Sequence, residues 1–219
     1  MCWSATADLM AGAGIAAVGV ACVTRAARGG RTRDLPLAAL PLLLGAHQII
    51  ESAVWRADGG TGPATVAWAV IALPLLPLWL PVAVLCAAPP VARRRLLLPL
   101  VAGVATAAAL SWHLATETVT AEIRGHTVGY ALGLPRPGLI IAGYLLATIG
   151  ALLLSGDRGL VLFGALVAVG AAVCVLLWRS EYISTWCAFA AVCSVFLYFW
   201  LRRRSRPVRA PSGPGSPGA

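Results

Sequence analysis

The stretch GAHQIIESAVW, residues 45–55, places three polar side chains in the middle of an apolar segment. His47 and Glu51 are four residues apart, so in a helix they share one face, and Gln48 lies beside them. In a helix ending near residue 57, Glu51 would lie about 9 Å and His47 about 15 Å below that end. An ionised carboxylate at such a depth in a bilayer costs roughly 2.5 kcal/mol or more, so we expect the pair to face the protein interior.

Imidazole, carboxylate and thiol groups bind divalent metals and also act as bases or nucleophiles. The topology described below brings further groups of this kind to the same side of the membrane. The predicted ligand-binding residues are His47, Gln48, Glu51, His113, Glu122, Trp186 and Cys187. The predicted ligands for zinc or another divalent metal are His47, Glu51, His113 and His126, and the candidate catalytic residues are Glu51 and His47. No compact signature such as H-E-x-x-H is present, so the spacing leaves open whether the site is catalytic.

The composition is that of an integral membrane protein. Of 219 residues, 59% are hydrophobic and 11% are charged, and the mean hydropathy is +0.84. A soluble domain of this length could not bury so much apolar surface in one core. The net charge of +9 does not indicate nucleic-acid binding, because the arginines cluster between the apolar runs instead of forming a basic face.

Seven apolar runs are long enough to cross a hydrocarbon core of about 30 Å. They cover about residues 5–25, 35–57, 65–88, 95–115, 138–155, 159–179 and 183–203. The sequence therefore predicts an all-α bundle of seven transmembrane helices over residues 1–203. Only SGDRG separates the fifth run from the sixth, so a re-entrant pair is the alternative there.

Arginine is distributed unequally between alternate loops. Thirteen arginines fall on one side of the predicted membrane, and Arg56, Arg124, Arg136 and Arg179 fall on the other. The positive-inside rule then places the N-terminus outside and the C-terminus in the cytoplasm, in the plasma membrane of a bacterium. Residues 204–219, which are basic and then rich in Pro, Gly and Ser, are predicted to be a disordered cytoplasmic tail. Besides the bilayer, the expected partners are anionic lipid headgroups bound by the C-terminal arginines.

Two further segments have local signals. Pro74, Pro77 and Pro81 lie along one side of the third run and leave carbonyls without their usual amide partners, which predicts either a simple kink or a cavity wall. In the outer loop 116–137, VTAEIR and TVGY alternate around Gly125-His126, which predicts a short β-hairpin. Because a lone hairpin is marginal in water, it should rest on the helices.

The cysteines give little information. No C-x-x-C motif is present, which gives no support to a zinc-ribbon or thioredoxin-like site. Cys2, Cys174 and Cys187 fall on the oxidising side, where one disulfide, for example between Cys2 and Cys187, is compatible with the location. The pairing cannot be deduced from the sequence.

Four stretches, MCWSATA, GAHQIIE, TAEIRGH and WCAFAAVCS, resemble an uncharacterised family of small bacterial multi-pass membrane proteins. The resemblance covers roughly residues 1–203 and implies no activity. The helix number is also similar to that of seven-helix zinc hydrolases such as alkaline ceramidases and adiponectin receptors. Those proteins carry paired histidines in the last helix, where this chain has none.

The sequence thus favours an outward-facing His/Glu/Cys pocket that binds a metal or a small or lipidic ligand, with membrane hydrolysis as its most concrete form. A proton-linked transporter is one alternative, since an intramembrane His–Glu pair can relay protons. A non-catalytic scaffold or sensor, in which His47 and Glu51 only hold helices together, is another.

Overall fold

The computed structural model describes residues 4–177 and 182–204, with the backbone alone for residues 182–184. Cys2, Glu181 and the predicted tail from Ser205 onward lie outside the described residues. The helices are α1 (Ala5–Arg28), α2 (Thr32–Arg56), α3 (Pro63–Ala87), α4 (Pro90–Thr116), α5 (Pro137–Leu153), α6 (Arg158–Leu177) and α7, which comprises Tyr182–Ser194 and Phe196–Arg204. The strands are β1 (Thr120–Arg124) and β2 (Thr127–Ala131).

The described chain is mostly helical, and six of its helices are long and apolar enough to cross a membrane. The helix formed by the fifth predicted span is shorter, at about 25 Å, because it ends at Leu153 before the loop that precedes α6. Arg204, which the sequence assigns to the tail, is instead the last residue of α7. Ion pairs to Asp34 and Asp157, which the sequence does not reveal, hold Arg204 at this position.

Helices α1 and α2 pack closely along a seam of small residues. A Cβ atom on Gly12 would lie 2.8 Å from the carbonyl oxygen of Gly45, and one on Gly45 would lie 2.5 Å from the backbone nitrogen of Ala16. Gly19 meets the backbone of Leu42 in the same way. Gly12, Ala16 and Gly19 thus allow the backbones to approach, as their helical spacing predicts.

Helix α3 is distorted at its prolines. Residues Ile71–Leu75 form a π-helical turn, in which each amide bonds to the carbonyl five residues earlier. Pro77 has no amide to offer the Ala72 carbonyl, and the Tyr144 hydroxyl of α5 donates to that oxygen instead, at 2.6 Å. The predicted kink is therefore present, and a neighbouring helix satisfies the carbonyl that proline leaves free.

The predicted hairpin is confirmed. β1 and β2 pair in antiparallel register from Thr120–Ala131 to Arg124–Thr127, with Gly125 at φ +62° in the turn. The backbone of Ala121 also exchanges two hydrogen bonds with Gly60 in the loop between α2 and α3, at 2.8 and 3.0 Å. This second pairing, together with packing on α7, anchors the hairpin to the helices.

The two ends of the bundle differ. The hairpin end carries the hairpin and the loop 57–62, above a buried cluster of residues from α2, α3, α4, α7 and the hairpin. The arginine-rich end carries the loops 29–34, 88–92 and 154–157 and the last turn of α7. A larger apolar core fills most of the bundle from the arginine-rich end.

Candidate functional site

Three polar side chains of α2 are buried near the hairpin end. His47 and Glu51 are 0% exposed and Gln48 is 2% exposed. The Gln48 amide donates to the Glu51 carboxylate at 3.5 Å. The opposite seam of α2 is occupied by the small residues of α1, so these side chains face the other helices of the bundle. The interior orientation predicted from the cost of burying charge is therefore what the structure shows.

His47 lies against the ring of Trp68, with ring centroids 5.1 Å apart. The Trp68 backbone also interacts weakly with the imidazole. Neither ring nitrogen makes a hydrogen bond of normal geometry to any residue in the described part of the chain. A buried polar group left unpaired costs about 1–3 kcal/mol, so among the described residues the side chain of His47 keeps hydrogen-bonding capacity for a ligand.

Trp68 lies between His47 and the hairpin and contacts both. The rings of Trp68 and Tyr130 stack with centroids 3.5 Å apart and planes inclined by 7°. Nε2 of His113, at the end of α4, contacts the Leu132 carbonyl just after β2. His113 therefore fastens the hairpin to α4, a structural contact, while Trp68 connects the hairpin to His47.

Cys187 of α7 adjoins the same polar group. It is buried, and its thiol lies within electrostatic range of both the Glu51 carboxylate and the Cys174 thiol. The sequence places Glu51 and Cys187 at similar depths, and the structure packs α7 against α2 so that these two buried side chains interact electrostatically. Cys187 and Cys174 are both free thiols. The disulfide considered between Cys2 and Cys187 involves Cys2, which lies outside the described residues. We call His47, Gln48, Glu51 and Cys187 the polar cluster.

Besides His113 and Trp186, two further predicted site residues lie outside the polar cluster. Glu122 is exposed on β1 and pairs with Arg124 at 2.7 Å, because alternation in the strand turns Ala121 inward and Glu122 outward. His126 is exposed in the hairpin turn. Among the described residues, no three His, Cys, Asp or Glu side chains lie close enough to hold a metal ion. The predicted metal set of His47, Glu51, His113 and His126 is therefore wrong as a single site.

Trp186 lines a large apolar cleft beside the polar cluster. The cleft has a volume of about 740 Å³ and lies between α3, α4, α5, α6 and α7. Its wall at the π-helical turn of α3 is formed by Ala72 and Leu73, so the prolines produce a cavity wall as well as a kink. Trp186 packs edge-on against Tyr144, and this ring pair also borders a second cavity of about 50 Å³ that Cys187 lines.

The charged residues at the arginine-rich end are paired. Asp34, which is 5% exposed, forms ion pairs with Arg31 and, at 3.1 Å, with Arg204. Asp157 accepts hydrogen bonds from two backbone amides at the start of α6 and from the Trp200 indole at 2.9 Å, and it forms an ion pair with Arg204 at 3.6 Å. The sequence favours solvated charges in these loops, but the structure makes them a network that fastens α7 to α2 and α6.

Sequence reasoning missed Trp68, Tyr130 and Tyr144. Val128 and Tyr130 share one strand face, and this alternation was the available signal that Tyr130 points toward the helices. The missing amide of Pro77 predicts that some neighbour must donate to α3, but it does not say that Tyr144 does so. Trp68 had no local signal, because an aromatic residue near a helix end is also typical of the membrane interface.

The fold and the site together define a helical membrane protein with a buried polar cluster next to an apolar cleft. The chain belongs to the family of unknown function DUF6629, whose profile matches residues 1–212. This confirms the resemblance to an uncharacterised family. The chain has no significant similarity to a curated protein or to a solved structure.

Proposed function

We propose that the chain crosses the bacterial plasma membrane seven times, with the hairpin end outside and the arginine-rich end in the cytoplasm. The position of α5 supports seven crossings over a re-entrant pair. It follows the hairpin at one end and leads into the loop 154–157 at the other, where Asp157 meets Arg204. Tilt or local thinning of the bilayer accommodates a helix of about 25 Å.

Labelling in intact cells tests this orientation. His126 and Arg94 are both exposed, at opposite ends of the bundle. A membrane-impermeant maleimide should label His126→Cys from outside and should not label Arg94→Cys until the cells are opened. The reverse pattern would contradict the proposed orientation.

We propose that the protein binds a single-chain lipid or the acyl chain of a larger lipid, with the chain in the cleft and a polar group at the polar cluster. The observation that carries this proposal is the cleft itself. Its volume of about 740 Å³ is within the range of small-molecule sites, and it is lined by aliphatic and aromatic carbon.

The Tyr144 hydroxyl and the Trp186 indole at the cleft wall already donate hydrogen bonds within the protein. The Tyr144 hydroxyl donates to Ala72, and the Trp186 indole donates to the Val167 carbonyl at 3.3 Å. The cleft therefore offers hydrocarbon contact and little hydrogen bonding, which suits a chain of methylenes better than a polar solute. Each methylene removed from water contributes about 0.8 kcal/mol.

The polar cluster lies behind the same wall. Ala72 and Leu73 line the cleft on one side and pack with Cys187 and Trp68 on the other. The Tyr144–Trp186 ring pair separates the cleft from the small cavity beside Cys187. A rotation of this pair would connect the two spaces and bring the polar end of the ligand to Cys187, the member of the polar cluster that lines the small cavity.

Photolabelling with a photoactivatable palmitic acid tests the proposal. Ala168 lines the cleft, whereas Ala165, one turn earlier on α6, is exposed on the outer surface of the bundle. In the unmodified protein, the label should map to peptides of α5 and α6. Ala168→Trp should reduce labelling to background, and the control Ala165→Trp should retain it.

Two results would contradict the proposal. The first is equal labelling of both tryptophan variants, which would indicate ordinary contact with bulk lipid. The second is labelling that a large excess of unlabelled palmitic acid does not reduce, because a site of fixed volume must saturate.

A further inference from the structure

A second groove lies at the arginine-rich end, away from the cleft. Its volume is about 660 Å³. Residues of the last turns of α7 line it, namely Phe196, Phe199, Trp200, Arg202 and Arg203. Aromatic rings and arginines at a membrane boundary combine contact with acyl carbon and binding of negative charge.

The arginines of this groove are not equivalent. Arg204 is neutralised by Asp34 and Asp157 and also stacks over the Trp200 ring, 4.6 Å from its centroid. Arg202 and Arg203 are exposed, and no carboxylate of the described residues forms an ion pair with either. The groove therefore contains two guanidinium groups whose charge the described structure leaves uncompensated.

The one carboxylate in the groove does not oppose an anion there. Asp157 lines it, but its oxygens accept hydrogen bonds from the backbone at the start of α6 and from Trp200, and they form an ion pair with Arg204. Its charge is thus already balanced within the protein. The net field at the open side comes from Arg202 and Arg203 and is positive.

We propose that this groove binds the phosphate of an anionic lipid headgroup, with Arg202 and Arg203 on the phosphate and Phe199 against the adjoining acyl carbon. Guanidinium groups match phosphate oxygens in geometry, and basic pockets of this kind bind acidic headgroups at the cytoplasmic boundary. Free inorganic phosphate offers the same charge without the chain. The site does not depend on the cleft or on the polar cluster.

Binding to the purified full-length chain tests the assignment. The probes are dioctanoyl phosphatidylglycerol, dioctanoyl phosphatidylcholine and inorganic phosphate, each titrated in detergent and followed by thermophoresis. Phosphatidylglycerol should bind saturably and more tightly than the other two. The variant Arg202→Gln/Arg203→Gln should bind it about thirty-fold more weakly, given about 1 kcal/mol for each of the two basic residues near acidic lipid.

The matched control removes the same charge from the same end of the bundle. Arg93 and Arg94 are exposed and lie outside the groove, so Arg93→Gln/Arg94→Gln should leave the affinity for phosphatidylglycerol nearly unchanged. The conservative variant Arg202→Lys/Arg203→Lys should restore part of the binding. Melting temperatures of all the variants should match, because each replaced side chain is exposed.

Three results would overturn the proposal. Equal losses in the groove and control variants would show a diffuse attraction to basic charge. Equal affinity for phosphatidylcholine would exclude recognition of the anionic group. Binding of inorganic phosphate as tight as that of phosphatidylglycerol would assign the site to a free anion instead of a lipid.

Discussion

The hairpin end and the arginine-rich end both bury ionisable side chains, but they treat them differently. At the arginine-rich end, both Asp34 and Asp157 form ion pairs with Arg204. At the hairpin end, His47 is more deeply buried, and neither of its nitrogens makes a hydrogen bond of normal geometry to a described residue.

This difference distinguishes a structural ion-pair network at the arginine-rich end from a candidate ligand site at the hairpin end. Most buried polar groups in folded proteins are hydrogen-bonded, so an ion-pair network that satisfies its members is explained by the fold. The imidazole of His47, whose nitrogens make no hydrogen bond of normal geometry to the described residues, has no such explanation and marks a place where a ligand can supply a partner. The polar cluster is the better functional candidate for this reason, although both ends contain similar residue types.

The largest expected effect is at the arginine-rich end. Asp34→Ala removes the ion pairs to Arg31 and Arg204 and should lower the free energy of unfolding by about 2–3 kcal/mol, less than a fully buried pair because Arg204 is partly exposed. Reversible unfolding in detergent measures it. The exposed Glu122–Arg124 pair is the control, and Glu122→Ala should cost under about 1 kcal/mol. Equal losses would remove the distinction between the two pairs.

The second-largest expected change in the free energy of unfolding is an increase. His47→Leu replaces a buried imidazole, which has no hydrogen bond of normal geometry to the described residues, with an apolar side chain and should raise the free energy of unfolding by about 1–2 kcal/mol. The same variant should lose binding of a lipid with a hydrogen-bonding headgroup. If His47 serves as helix glue, stability should fall instead, so the sign of the change decides between the two roles.

A smaller loss is expected where the cleft meets α3. Tyr144→Phe removes the hydroxyl that satisfies the Ala72 carbonyl and should cost about 1 kcal/mol, the net value of one hydrogen bond. Photolabelling of the cleft should persist, because the ring remains in place. Lost labelling with unchanged stability would show that the hydroxyl contacts the ligand instead.

The smallest effect concerns the hairpin. A double-mutant cycle on Trp68 and Tyr130, each changed to Leu, should give a coupling of about 0.5–1.5 kcal/mol for the stacked pair. Zero coupling would mean that the hairpin packs on α3 by area alone, and Trp68 would then not transmit hairpin position to His47.

Much of the fold could be predicted because its signals are local. Apolar run length predicted the long helices, Gly125-His126 predicted the hairpin turn, and the spacing of Gly12, Ala16 and Gly19 predicted a close helix seam. The depth of His47 and Glu51 predicted that they face inward. The seven crossings and the orientation stay predictions that the labelling experiment tests.

The site was less predictable, because its contacts join distant parts of the chain. His113, Glu122 and His126 share a side of the membrane with His47, but same-side placement does not bring side chains within bonding distance. His113 contacts the Leu132 carbonyl, Glu122 pairs with Arg124, and His126 is exposed in the hairpin turn. Strand alternation and helix-end geometry decided each of these outcomes.

The sequence by itself determined that this chain is a helical membrane protein and that His47 and Glu51 must face inward, because the cost of exposing charge to hydrocarbon depends only on residue type and depth. Tertiary structure alone decided that Cys187 interacts electrostatically with Glu51, that the Trp68 ring packs against His47 and that Arg204 pairs with Asp34 at the opposite end. Such contacts depend on how helices rotate and pack against one another, and side-chain packing fixes that rotation only after the whole bundle has formed.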